Sequence, residues 1–267
     1  MSACAAAHMV RLAMPRPGPD STLAAGASAR ADPRWVRAAL NRWIFRGMLA
    51  SMGTIAVILH RTLPSKTPAW RFAKLSARNL GRLCGVRVRV HGLEHLEGIG
   101  PCIFTPNHQS HFDIAALLGW LPGHNRFVTK KELFREPVLG LVLRTLGMIG
   151  VDREHPSDAI ERFTKAAGEG SSLIIFPEGT RSRDGTLLPF KMGPFVTAIT
   201  LGLPIVPVVC HGTREVMPAG GYLAVLPGDI DVYVEEPIAT RGLTQDDRER
   251  LCDRTRAAIA ARLGTLR

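Results

Sequence analysis

The sequence predicts an α/β domain built around a central sheet, with two helices ahead of it. Three observations carry that reading. Short apolar or alternating runs recur between residues 86 and 237, each separated from the next by a helical or Gly/Pro-rich stretch, the layered alternation of an α/β protein. Over 267 residues the apolar fraction is 46% and the charged fraction 21%, a balance that supports one sizeable core. The charge is also unevenly placed. Residues 1–90 hold 15 Lys and Arg against Asp20 and Asp32, a balance of +13, whereas residues 91–267 hold 19 against 21, a balance of −2.

Residues 1–33 are rich in Ala, Pro, Gly, Ser and Arg without an apolar period and read as a disordered lead-in. No apolar run of signal-peptide length follows their first positive charges. Residues 34–83 read as basic, membrane-associating helices. Asp32 before Pro33 is a helix start. Between Arg46 and His60 lie 13 uncharged residues, a helix of roughly 20 Å against a hydrocarbon core of ~30 Å. If Arg42 and Arg46 snorkel, the apolar part reaches about 17 residues, the low edge of spanning length. Trp35 and Trp43 lie among Arg34, Arg37, Arg42 and Arg46, the mixture of an interfacial anchor. A second helix sets Trp70, Phe72, Leu75, Leu80 and Leu83 beside Arg71, Lys74, Arg78 and Arg82. Each such cation near an anionic leaflet adds ~1 kcal/mol of attraction. The same pattern also suits two helices packed on the domain with solvated Arg heads.

From residue 84 to 267 the α/β pattern holds. VRVRV (86–90) alternates with period two, CIFTP (102–106) is a buried strand and IAALLGWL (114–121) a helix. RFVT (126–129) and MIGV (148–151) read as strands around a helix at 138–146, and a further helix covers 158–167. SLIIF (172–176) is a buried strand, 194–202 a helix, PIVPVVC (204–210) and DVYVEEP (231–237) strands, and 245–263 a terminal helix. The nearly neutral domain and an aromatic fraction of 6% argue against a nucleic-acid binder. The five cysteines form no C-x-x-C pair, which favours reduced thiols over a zinc site or a disulfide framework.

Four polar blocks punctuate these strands. Residues 107–113 (NHQSHFD) follow a buried strand and open a helix. His108 and Asp113 meet only if His108 lies in the turn and Asp113 in the first helical turn. A carboxylate on one imidazole nitrogen then leaves the other free as a base. Ser110 and Asp113 also fit a capping box, and His111 is a second candidate. Residues 176–182 (FPEGTRS) carry Glu178, Gly179, Thr180 and Arg181 at a strand end. Gly179 allows close backbone approach and Arg181 offers a fork for phosphate; a turn in which Glu178 pairs with Arg181 fits equally. Residues 147–153 (GMIGVDR) end in Arg153, and 203–209 carry Pro204 and Pro207 in an apolar strand suited to a sheet edge, a tunnel wall or plain core. Lys130 and Lys191 follow other strand or loop signals.

In this order and spacing the four blocks resemble those of the glycerolipid acyltransferase family: N-H-x-x-x-x-D, G-x-x-x-x-x-R, F-P-E-G-T-R-S and a proline-bearing V/I-P-V. They cover about 100 central residues. The resemblance implies a mixed sheet flanked by helices. It implies transfer of an acyl group from acyl-CoA or acyl-carrier protein, as co-substrate, to the free sn-2 hydroxyl of 1-acylglycerol 3-phosphate (lysophosphatidic acid), giving phosphatidic acid. Neither a metal nor a resident cofactor is implied. His108 would be the general base and Asp113 its orienting partner. Arg153 and Arg181, with Lys130 and Lys191 behind them, would hold the acceptor phosphate, and Glu178, Gly179 and Thr180 would shape the acceptor site, Glu178 by bonding a glycerol hydroxyl or by holding Arg181. Family members work at the cytoplasmic membrane face, here peripherally or through one short N-terminal helix on an anionic surface. Other lyso-acceptors, or a non-catalytic membrane-binding protein on the same scaffold, are the alternatives.

Overall fold

The alternating run at residues 86–90 forms β1 (Val86–His91), with Val86, Val88 and Val90 turned toward the core and Arg87, Arg89 and His91 toward solvent. The computed structural model describes residues 33–62, 67–152, 159–218 and 224–266; most of the 1–33 lead-in and Arg153 lie outside the described residues. In chain order the further strands are β2 (Ile103–Pro106), β3 (Asn125–Lys130), β4 (Ile149–Val151), β5 (Ser172–Ile174), β6 (Ile205–His211) and β7 (Gly228–Val234). The helices are α1 (Pro33–Thr62), α2 (Thr67–Leu83), α3 (Phe112–Trp120), α4 (Pro137–Thr145), α5 (Ile160–Gly168), α6 (Gly193–Leu201), α7 (Thr213–Val216) and α8 (Arg248–Thr265).

The described residues form one seven-stranded sheet in the order β1-β7-β6-β2-β5-β3-β4. Neighbouring strands are parallel except β6 and β7, which run antiparallel, so the sheet is mixed. Successive strand residues point to opposite faces, and both faces are covered. Phe104, Ile174 and Val206 pack with Trp70, Ala73 and Ala77 of α2 and Phe112 and Leu117 of α3. Ile103, Leu173 and Ile205 pack with Phe163 of α5, Phe195 of α6 and Leu251 of α8. The proline-bearing strand β6 is core, buried from Ile205 to Cys210 between β7 and β2. Pro207 stands one position past the Val208↔Val234 pair, at the end of the β6–β7 ladder: its carbonyl accepts the Glu235 N–H at 3.0 Å, and its ring nitrogen has no N–H to donate in return.

Helix α1 lies along α2 and reaches α4. Buried Asn41 fastens it by donating from Nδ2 to Cys84 O at 3.0 Å and Val225 O at 2.8 Å. Trp43, Ile55 and Ile58 are left exposed. On α2, not all of the predicted cationic face is free. Lys74 Nζ donates to Leu121 O and Gly123 O, and Arg78 Nε to Gly119 O, so these two cations satisfy carbonyls at and beyond the end of α3. Among the described residues no helix is long and apolar enough to cross a membrane.

Candidate active site

Two neighbouring parallel strands, β2 and β5, deliver the site. Ligand sites of open α/β sheets lie beyond the carboxyl ends of their strands, and there the chain leaving β2 carries residues 107–113 while the chain leaving β5 carries 175–182. Buried Asn107 fixes the first loop to β6: its Nδ2 donates to Cys210 O at 3.2 Å, and its Oδ1 accepts Cys210 N–H at 2.7 Å.

Helix α3 starts at Phe112, which leaves His108 in the turn and puts Asp113 in the first helical turn. Their side chains meet: His108 Nδ1 lies 2.7 Å from Asp113 Oδ2. A carboxylate oxygen only accepts, so Nδ1 carries the proton and Nε2 of the neutral ring keeps its lone pair. The same Oδ2 also accepts the N–H groups of Gln109 and Ser110, each at 2.9 Å. Three donors offset the cost of fully burying this carboxylate. Only half of the expected capping box is present. Asp113 accepts the Ser110 N–H, but the Ser110 hydroxyl donates to Met217 O at 2.8 Å and accepts Phe112 N–H at 3.1 Å. The His108 side chain is 14% exposed, and its ring stacks on Phe176 with centroids 3.9 Å apart.

The second loop grips the first. Glu178 Oε1 accepts His108 N–H at 2.7 Å, Ser182 N–H donates to His108 O at 2.8 Å, and Gln109 Nε2 donates to Gly185 O at 3.2 Å. Glu178 Oε2 accepts Leu188 N–H at 3.0 Å. Both oxygens of Glu178 are thus bonded to backbone, not to Arg181 as one sequence reading had it. Burial pushes the Glu178 carboxyl up to about 7 against the pull of those two N–H groups. Gly179 adopts φ 66°, a left-handed turn that suits glycine. The loop is braced internally by Asp184, whose Oδ1 accepts from Thr186 N–H, the Thr186 hydroxyl and the Ser182 hydroxyl at 3.0, 2.7 and 3.0 Å. These bonds hold its carboxyl down at about 2.

The remaining candidates lie on neighbouring strand ends and loops. Arg181 is half-buried, Thr180 exposed, and among the described residues no carboxylate pairs with Arg181. His111, exposed at the start of α3, titrates below the usual histidine range through partial desolvation and then the charges of Arg181 and His108. Lys130 ends β3 opposite Val151 of β4 and is exposed, while its neighbour Lys131 lies 3.5 Å from Asp152. Exposed Lys191 belongs to the strap whose backbone closes on Pro177 at 2.8 Å. Sequence reasoning missed the stacking role of Phe176 and the anchoring roles of Asn107 and Gln109. Asn107 and Phe176 each open one of the sequence blocks and Gln109 lies inside one, but residue type alone marked none of these roles.

Comparison with known proteins gives this geometry its family. The family model described as Acyltransferase matches residues 87–211. Human 1-acyl-sn-glycerol-3-phosphate acyltransferase alpha is 30% identical over 219 residues, covering 80% of this chain and 77% of the human protein. A chloroplastic 1-acyl-sn-glycerol-3-phosphate acyltransferase from Brassica napus is 37% identical over 175 residues, 64% of this chain and 49% of that protein, so this chain spans about half the plant enzyme's length. The crystal structure of the LPA acyltransferase PlsC from Thermotoga maritima shares the fold, with a TM-score of 0.74 at 24% identity, over 88% of this chain and 96% of the other. The His108–Asp113 pair and the loop that clamps it thus sit inside the matched region of a chain that belongs to the acyltransferase family.

Proposed function

We propose that this protein moves a fatty acyl group from an acyl-CoA or acyl-carrier-protein thioester to the sn-2 hydroxyl of 1-acylglycerol 3-phosphate, forming phosphatidic acid. The observation that carries the reading is the 2.7 Å His108 Nδ1–Asp113 Oδ2 bond, which leaves Nε2 as the basic atom of a partly open ring. Nε2 takes the acceptor's hydroxyl proton while Asp113 steadies the imidazolium. The hydroxyl oxygen attacks the thioester carbonyl, the C–S bond breaks, and the departing thiolate takes the proton back from His108. A positioned base of this kind contributes ~10²–10⁴-fold. Arg181 holds the acceptor phosphate as a planar fork, with Lys130, Lys191 and Arg153 as further cations and Gly179 and Thr180 shaping the turn beside it. Labelled acyl-CoA and labelled acyl-carrier protein, each offered with a panel of lyso-acceptors, test the proposal. Preferred transfer to 1-acylglycerol 3-phosphate is expected; transfer only to another acceptor, or none to any, overturns it.

The domain from residue 84 onward performs this chemistry, and the helices of residues 34–83 dock it on the cytoplasmic face of an anionic membrane. Support comes from Trp43, 69% exposed, and Ile58, 52% exposed, on α1, with Leu75 exposed on α2 beside the exposed cations Arg46, Arg71 and Arg82. Such a mixture binds by apolar burial plus attraction to anionic lipid. Flotation with phosphatidylglycerol vesicles should carry the protein upward, less so at high salt; a protein that stays at the bottom at every salt concentration refutes the docking.

A further inference from the structure

Helix α8 lies outside the matched region and outside all four sequence blocks, yet one of its side chains connects to the candidate base. Arg256 Nη2 donates to Leu187 O at 3.3 Å. The next residue, Leu188, donates its N–H to Glu178 Oε2 at 3.0 Å, and Glu178 Oε1 accepts the N–H of His108 at 2.7 Å. Both partners of Glu178 are N–H donors, which the carboxylate, with two accepting oxygens and no proton to place, fits better than the acid. Glu178 is 3% exposed, and its neighbourhood is contested. Burial and the charge of Asp113 on α3 favour the protonated form, whereas the backbone N–H groups of His108 and Leu188 and the charge of Arg256 favour the ionised one. Arg256 therefore supports the bridge twice, by holding the loop that supplies Leu188 and by favouring the form of Glu178 that accepts at both ends.

We infer that Arg256 is a positioning residue of the transfer reaction, acting through the Leu187 carbonyl and the Glu178 carboxylate to fix the backbone of His108. The inference rests on the reading of His108 as the base. A small misplacement of a catalytic group is paid in turnover more than in affinity, so the relay should be visible in kcat.

The test is steady-state kinetics of the full chain with acyl-CoA and 1-acylglycerol 3-phosphate, on Arg256→Met, Arg256→Lys, Glu178→Gln and the Met/Gln double variant. Arg256→Met should lower kcat about threefold to tenfold with both KM values within about twofold. Arg256→Lys, which keeps a donor and a charge, should recover most of that loss. Glu178→Gln should cost more, and the double variant should be no worse than Glu178→Gln alone, because both changes break one relay. Unchanged kcat in Arg256→Met overturns the inference. So does a loss confined to the acyl-CoA KM, which would make Arg256 a donor contact, and so do losses that multiply in the double variant. Should Glu178→Gln fail to fold, the Met and Lys variants at exposed Arg256 decide alone. His108→Ala, measured alongside, separates the two readings: turnover retained there sinks the base assignment, whereas turnover lost there but normal in Arg256→Met sinks only the relay.

Discussion

Arginines at two places in this molecule are treated in opposite ways. On the exposed face of β1, Arg87 forks onto Asp229 at 2.7 and 3.1 Å, and Arg89 onto Asp231 at 2.9 and 3.3 Å. Each pair stands in register across β1 and β7. In the loop after β5, Arg181 pairs with no carboxylate among the described residues, and Glu178 spends both oxygens on backbone N–H groups. Charge that serves the sheet is neutralised within the sheet. On the proposed function, the charge of Arg181 is left for an arriving anion, while His108 is held by its hydrogen bonds to Asp113 and the Glu178 loop. That proposal separates a preorganised proton-transfer group from an open electrostatic receptor.

The largest expected effect falls on the braced side. His108→Ala should reduce turnover by ~10²–10⁴-fold without a change in the far-ultraviolet circular dichroism spectrum. Asp113→Asn should lose nearly as much: its amide oxygen can still accept the three N–H groups now at Oδ2, but a neutral amide offers the imidazolium no charge to stabilise it. Near-normal turnover in either would erase the contrast. Next comes the open side. Arg181→Ala should raise the acceptor KM about tenfold, the worth of one charge-assisted pair, whereas Arg87→Ala should move neither KM nor kcat. Equal effects from the two arginines would mean that the unpaired state of Arg181 has no functional meaning.

The smallest effect concerns pH. Folding lifts the Glu178 carboxyl from 4.5 to about 7, so between these values the folded protein holds a proton that the unfolded chain releases. The resulting stability is complete below pH 4.5 and lost as pH rises to about 7. Asp229 and Asp231 behave oppositely. Their hydrogen bonds from Arg87 and Arg89 hold them below the usual carboxylate range, so their contribution is lost as pH falls. Urea unfolding across pH should show Glu178→Gln flattening the decline between 4.5 and 7; a slope identical to that of the parent protein would remove Glu178 from the titration.

Which parts of this arrangement were legible in the sequence follows from the range of each interaction. Strand β1 was written in its own period-two alternation, and the His108–Asp113 meeting required only that the helix open between them, as it does at Phe112. The partner of β1 was not legible, because β7 lies 142 residues on and no local signal fixes a parallel register. The run 172–176 read as one strand, but β5 ends at Ile174: Ile175 N–H still reaches Phe104 O at 3.0 Å, while Phe176 turns to stack on His108. Apolar character cannot distinguish a residue that continues a strand from one that leaves it to face a site. The bonds of Glu178 were hidden for a further reason. Their donors are backbone N–H groups, which nearly every residue type supplies, so neither His108 nor Leu188 marks itself as a partner.

Strand order also sets a ruler. Along the chain the blocks run 107–113, 147–153, 176–182, but in the sheet the β5 end comes directly beside the β2 end, and the β4 end stands three places away from it. With strands about 4.8 Å apart, Arg181 follows a strand one spacing from the one that leads to His108, and the residues after β4 follow one about 14 Å distant. On the proposed function, a glycerol phosphate headgroup would span the nearer gap with its hydroxyl at the imidazole, and an acceptor with a longer arm between alcohol and anion would carry its anion past Arg181.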